Sequence, residues 1–237
     1  PPQVKKQAIL KDFTVSGKVS VTSSFLSGSE TPTAPVARNV ALETSRARLE
    51  QLERVGAVDD SVEITHQEYL DLIHKLQHNL FAAWMKSARV ESLRITIRCA
   101  KLLSHIAVPT FYPTMFCYIT GILDTFGQLV FERIRVRAEE VDSRLGGGRP
   151  LPEDFTCHDI GDEAKETCKN WIYKTACIRE LVPRLYVEIA MLKCYRFVTE
   201  EKDLPAIVER ISHMIRGIAD PVIAAYARTY LSLMASQ

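Results

Sequence analysis

The sequence predicts an all-α fold, and three observations carry that expectation. From residue 40 onward apolar side chains recur at three- and four-residue intervals, the spacing of one helix face. Prolines stand where helices can begin, at Pro113, Pro183, Pro205 and Pro221, because a first-turn residue has no intrahelical use for its N–H. No stretch outside the leader alternates polar and apolar residues in the manner of a half-buried strand.

Composition agrees with a soluble globular chain: of 237 residues, 46% are hydrophobic and 25% charged. The net charge of +1 excludes functions that rest on bulk attraction to nucleic acid or acidic membrane. Six cysteines (Cys99, Cys117, Cys157, Cys168, Cys177 and Cys194) are scattered without a CxxC pair, which reads as a reducing intracellular compartment. No apolar run approaches the roughly 18 residues that span a bilayer. The chain begins at Pro1 without a signal-peptide pattern and stops within a helical pattern, so it reads as a fragment.

Residues 1–39 are rich in Ser, Thr, Val and Gly and read as an extended or disordered leader; the alternative is that Ile9, Phe13, Val19 and Val21 dock as a strand. Residues 40–237 form the helical part. Leu42, Leu49 and Leu52 suggest a short surface helix over 42–54. Thr65 and Glu68 have capping-box spacing, and Tyr69, Leu72, Ile73, Leu76, Leu80 and Trp84 follow on one face. A second helix is expected over 88–106. Pro109 and Pro113 bracket a turn into a long helix over 113–142. The glycines at 146–148 open a flexible loop over 143–161. Helices at 162–181, 183–198, 204–218 and 221–235 complete the chain, with Asp203 and Asp220 as N-caps of the last two. Only Ala219 and Asp220 would then separate that final pair, which must form an αα-hairpin. Successive amphipathic helices with short turns suit a bundle or an α-solenoid.

Catalytic readings are weak. Asp59, Asp60 and Glu63 resemble the acidic cluster with which helical isoprenoid synthases hold magnesium, but they precede a helix and no second cluster faces them. Asp71, His74 and His78 share a helix face, yet it is the polar face and lacks the glutamate of HExxH enzymes. Arg133, Arg135 and Arg137 point to different sides of one helix and make no nucleic-acid patch. No catalytic residue, metal ligand or cofactor site is expected.

One segment stands apart. Pro183 begins a helix that is apolar nearly all round, so Arg184 lies in the first turn, where the helix dipole disfavours a cation. That guanidinium needs an acceptor, either Glu180 or Glu188 of its own chain or a group on a partner. Tyr186 beside it is of the amphipathic type that binding surfaces favour.

The run Pro183-Arg184-Leu185-Tyr186 resembles the signature of the vacuolar protein sorting 35 family, the α-solenoid scaffolds of endosomal retrieval coats. The likeness continues through Arg216-Gly217-Ile218-Ala219-Asp220-Pro221 and through Tyr226 to Leu231. Phe111-Tyr112-Pro113, the run from Ile119 to Gly127, the run from Ala164 to Trp171 and Ile178 to Leu181 resemble the branch that scaffolds the retriever, or Commander, complex. The resemblance covers residues 64–235 well and the leader thinly.

It implies a right-handed, HEAT-like α-solenoid of antiparallel helix pairs and a non-catalytic scaffold, cytoplasmic and peripheral on endosomes. Such a scaffold recycles membrane proteins from endosome to plasma membrane. It also implies that an arrestin-like vacuolar protein sorting 26 subunit docks at Arg184, with Pro183, Leu185 and Tyr186 shaping the surface. Family members further hold a phosphoesterase-like vacuolar protein sorting 29 subunit and, in the retriever branch, a coiled-coil and COMM-domain assembly, at sites beyond these residues. The alternative reading is a generic helical-repeat adaptor that binds peptides in a groove.

Overall fold

The computed structural model describes residues 5, 7–9, 18–22, 61–104, 106, 110–144 and 151–236. Helices dominate them: α1 (His66–Met85), α2 (Arg89–Lys101), α3 (Tyr112–Arg144), α4 (Asp162–Ala176), α5 (Leu181–Ala190), α6 (Leu204–Ile215) and α7 (Pro221–Ala235). The fold is all-α, as the apolar spacing predicts.

One small departure precedes the helices. Strand β1 (Lys18–Thr22) pairs antiparallel with β2 (Ser61–Thr65), Val19 opposite Ile64 and Val21 opposite Val62. Val19 and Val21 thus lie in a strand that pairs within this chain, whereas the alternative reading of the leader docks it on another surface; Ile9 is helical, and Phe13 lies outside the described residues. Glu63, which the sequence places ahead of a helix, is a strand residue. The surface helix at 42–54, the 39/40 boundary, Asp59, Asp60, Pro109 and the glycines at 146–148 lie outside the described residues. Packing divides the molecule into two units, the hairpin with α1 up to Leu70 in one and the helices from Asp71 onward in the other.

In the helical unit, α3 is the long central element. Ile119, Ile122, Leu123, Phe126, Val130 and Ile134 line its inner face and are all but completely buried. Over Tyr112–Glu140 α3 is long and apolar enough to cross a membrane by length and composition, contrary to expectation; more than half of its apolar 18-residue window is buried in the fold. α5 packs against α2, α3, α4, α6 and α7. Its approach to α3 is tight: a Cβ on Gly127 would lie 2.0 Å from the Ala190 carbonyl oxygen. Only a residue without a side chain lets the two backbones meet there.

Several helix ends differ from the sequence expectation, for one recurring reason. The final turn tightens to the 3₁₀ form, in which i→i−3 bonds satisfy the last carbonyls while the apolar spacing continues past the helix. α5 gives way to a 3₁₀ segment at Leu192–Phe197, and α2 to one at Leu102–Ser104. α6 closes with Arg216 N–H donating to His213 O, Gly217 N–H to Met214 O and Ile218 N–H to Ile215 O. Residues 216–220 therefore separate α6 from α7, rather than two residues. α5 begins at Leu181, so Pro183 is its third residue, still within the turn that needs no N–H donor.

Asp220 caps α7, its Oδ1 accepting from Val222 N–H at 2.8 Å and Ile223 N–H at 3.1 Å. Asp203 makes no such bond, because a 3₁₀ turn at Glu201–Asp203 runs directly into α6 and holds Asp203 in helical backbone. α3 continues to Arg144, two residues into the loop expected over 143–161, and residues 145–150 lie outside the described residues. The loop's described part, 151–161, is tied down: Leu151 N–H donates to Glu139 Oε1 at 3.2 Å, and the Phe155 ring lies 4.8 Å from that of Phe197.

Candidate partner-docking site

Glu180 caps α5 in extended conformation, and its carbonyl accepts the Arg184 N–H at 3.2 Å. Seven of the ten α5 residues are buried (Pro183 and residues 185–190), so the helix is apolar on almost every side. Arg184 is the charged exception in its first turn. Its side chain is partly buried, and its Nε is shut off from solvent without a hydrogen bond.

Both carboxylates of its own chain considered above bond to other groups, Glu188 through Oε1 alone, while its buried Oε2 makes no hydrogen bond among the described residues. Glu180 Oε1 lies 2.8 Å from Lys101 Nζ. Glu188 Oε1 is bonded by Arg210 Nη2 from α6 and accepts from Tyr195 Oη at 2.8 Å. The Glu188 side chain is only 7% exposed, whereas that of Arg210 is 44% exposed. Burial draws the Arg210 guanidinium down, but the hydrogen bond and charge of Glu188 outweigh it and hold that cation above its ordinary value. Burial, and then the neighbouring Glu188 charge, push the Tyr195 phenol up. No hydrogen bond or ion pair reaches the Arg184 guanidinium among the described residues.

The structure places the other three signature residues in the core. Pro183 is buried, and Leu185 and Tyr186 are completely so. Tyr186 stacks on Tyr230 with ring centroids 5.6 Å apart and 25° between planes, and Phe116 meets it edge-on at 6.4 Å. Tyr230 in turn donates to Asp124 Oδ1 at 2.7 Å. Leu185 and Tyr186 thus hold α5 in place rather than shape a surface. Arg184 is the member of the run that a second molecule can reach. The Glu188–Arg210–Tyr195 cluster went unread in the sequence, where the one signal was Glu188 lying one turn from Arg184.

The remaining candidates separate. Asp71, His74 and His78 are exposed, with the His74 ring edge-on to Tyr118 at 6.0 Å. Among the described residues no three His, Cys, Asp or Glu side chains assemble as a metal site. Cys177 is the exposed cysteine of the six; the other five are buried, and burial pushes the Cys99 and Cys168 thiols up to about 12. A groove of about 430 Å³ opens between α3, the end of α5 and α7, lined by Asp124, Gly127, Gln128, Phe131, Lys193 and Met234 among others.

Comparison with known proteins covers almost all of this framework. A family model described as VPS35L matches residues 2–237. A Danio rerio protein named VPS35 endosomal protein-sorting factor-like is 43% identical over 233 residues, covering 98% of this chain and 23% of that protein. The Homo sapiens protein of the same name is 42% identical over 229 residues, covering 96% of this chain and 23% of its own length. A Dictyostelium discoideum relative, named VPS35 endosomal protein sorting factor-like, is 38% identical over 239 residues, 98% of this chain and 22% of that protein. The chain spans about a quarter of the length of these relatives. On the family model and these relatives together, the chain belongs to the VPS35L family.

Proposed function

We propose that this chain is part of a non-catalytic scaffold for endosomal cargo retrieval, of the retriever type, and that it docks an arrestin-like vacuolar protein sorting 26 subunit through Arg184. The observation that carries the docking assignment is the guanidinium itself. It stands at the positive end of an apolar helix, partly buried, while Glu180 and Glu188 are both engaged by other cations. A cation so placed gains most from an acceptor on another molecule. The relatives' names supply the endosomal sorting context. In the full-length scaffold the phosphoesterase-like vacuolar protein sorting 29 subunit and the coiled-coil and COMM-domain assembly bind elsewhere. Attachment to the endosome then runs through partners.

The test is co-purification. The full-length protein, captured from cells, is expected to bring down the arrestin-like subunit, and the Arg184→Glu variant to lose it while retaining the phosphoesterase-like subunit. Equal recovery of the arrestin-like subunit by a folded variant removes the assignment.

The groove beside Gly127 favours a second reading, a helical-repeat adaptor that captures peptides. That reading expects peptide binding that Lys193→Glu weakens and Arg184→Glu leaves intact.

A further inference from the structure

Arg184 is not the sole uncompensated cation at its end of α5. Arg179, exposed, immediately precedes the helix cap, and Arg216, also exposed, is the C-cap of α6. The turn that carries Arg216 meets the first turn of α5. A Cβ on neighbouring Gly217 would lie 3.0 Å from Leu181 Cδ2, and Leu181 and Arg184 share one face at i and i+3. No side-chain hydrogen bond or ion pair is made by Arg179, Arg184 or Arg216 among the described residues. The acids nearby have other bonds: Glu180 with Lys101, Glu188 Oε1 with Arg210 and Tyr195, and Asp220 Oδ1 with the amides of Val222 and Ile223. The α5 N-terminus adds the positive end of its own dipole, with no side-chain cap from Glu180.

We propose that the partner surface meeting this turn is an acidic protein segment, with carboxylates that reach Arg184 and Arg216 together. Arg179 adds to the attracting field. The inference rests on the docking reading above and specifies its chemistry: Arg184 is the partly buried anchor, and Arg216 is an exposed second contact that speeds association and sets its salt dependence. A protein segment fits better than a lipid headgroup because Arg184 is recessed among buried residues of α5, where a side-chain carboxylate can follow it.

The test is a titration of the arrestin-like subunit into the full-length protein at low and moderate salt, for wild type, Arg216→Glu, Arg216→Lys and Arg184→Glu. Arg216→Glu is expected to weaken binding about tenfold at low salt and to flatten its salt dependence, while Arg216→Lys stays close to wild type. Arg216 is exposed, so its variants keep the fold, and a circular dichroism spectrum verifies this. If Arg184→Glu loses binding but Arg216→Glu binds as wild type does, the acidic two-point contact is wrong and the docking reading stands. If both bind as wild type does, both are wrong. If Arg216→Glu instead abolishes binding to phosphatidylserine vesicles and leaves the subunit's affinity unchanged, the surface belongs to a membrane and the proposal is overturned.

Discussion

The carboxylate of Glu188 on α5 is held by the guanidinium of Arg210 on α6, and that pairing keeps it from neutralising Arg184 one turn away. Tyr195 donates to the same oxygen at 2.8 Å, so the cluster joins α5, the 3₁₀ segment after it and α6. This cluster thus fastens three elements, while the partly buried Arg184 guanidinium makes no hydrogen bond or ion pair among the described residues.

Removing Arg210 strands a buried carboxylate. Because Tyr195 remains as a donor and Arg210 is half exposed, Arg210→Met is expected to cost about 1–3 kcal/mol, less than the loss of a fully buried pair. Glu188→Gln in the Arg210→Met background should recover part of that loss, because a neutral amide is cheaper to bury. Urea denaturation reads both. A double variant less stable than the single would contradict the account of the cluster.

The α3–α5 contact makes a sharper forecast. At Gly127 a Cβ meets backbone, the Ala190 carbonyl at 2.0 Å, and neither helix can yield without repacking the core. Gly127→Ala is therefore expected to destabilise by about 3 kcal/mol or more. At Gly217 the added methyl meets the mobile tip of Leu181 at 3.0 Å, so Gly217→Ala should cost far less. Thermal melts of the two variants give the comparison, and similar melting points would rule out the close backbone approach.

The two aspartates that the sequence offers as helix caps should behave differently. Asp220→Ala removes the acceptor of two amide N–H groups at the start of α7 and is expected to cost about 1 kcal/mol. Asp203→Ala removes no cap bond and should be close to neutral. Equal losses would contradict this assignment.

High pH should unfold the protein through its buried hydroxyls and thiols. Burial raises the phenols of Tyr112, Tyr186, Tyr195 and Tyr230, and holds the Cys99 and Cys168 thiols at about 12. Each proton is bound more tightly in the fold than in the unfolded chain. The resulting stability is complete below the unfolded values, about 8.5 for a thiol and 10 for a phenol, and is lost as pH rises toward the folded ones. The urea midpoint should therefore fall steadily above about pH 9. A midpoint unchanged at about pH 10.5 would contradict the burial of these groups.

Much of the helical framework was legible in the sequence, because its apolar stripes and first-turn prolines are local signals. Pro221 and Asp220 placed the start of α7 to the residue. What escaped was either continuous with a helix pattern or distant in the chain. The 3₁₀ closures of α2, α5 and α6 keep the i, i+3 spacing, so the sequence does not mark where the helix stops. The β1–β2 hairpin joins segments some forty residues apart, each only five residues long. At the site, the charge and position of Arg184 were readable from its helix, and the burial of Leu185 and Tyr186 was not. Whether an aromatic faces the core or a partner depends on what α3 and α7 bring to it, here Phe116 and Tyr230. The removal of Glu188 by Arg210, 22 positions away, was equally out of reach of local reasoning.

On the proposed docking reading, Arg184 is held open for an outside acceptor. Calorimetric titration of the arrestin-like subunit into full-length wild type and Arg184→Ala tests it most directly, because alanine removes the cation and leaves the core of α5 intact. A loss of about 2 kcal/mol or more in binding free energy is expected, with the melting temperature unchanged. Wild-type affinity in a fully folded Arg184→Ala protein would contradict it.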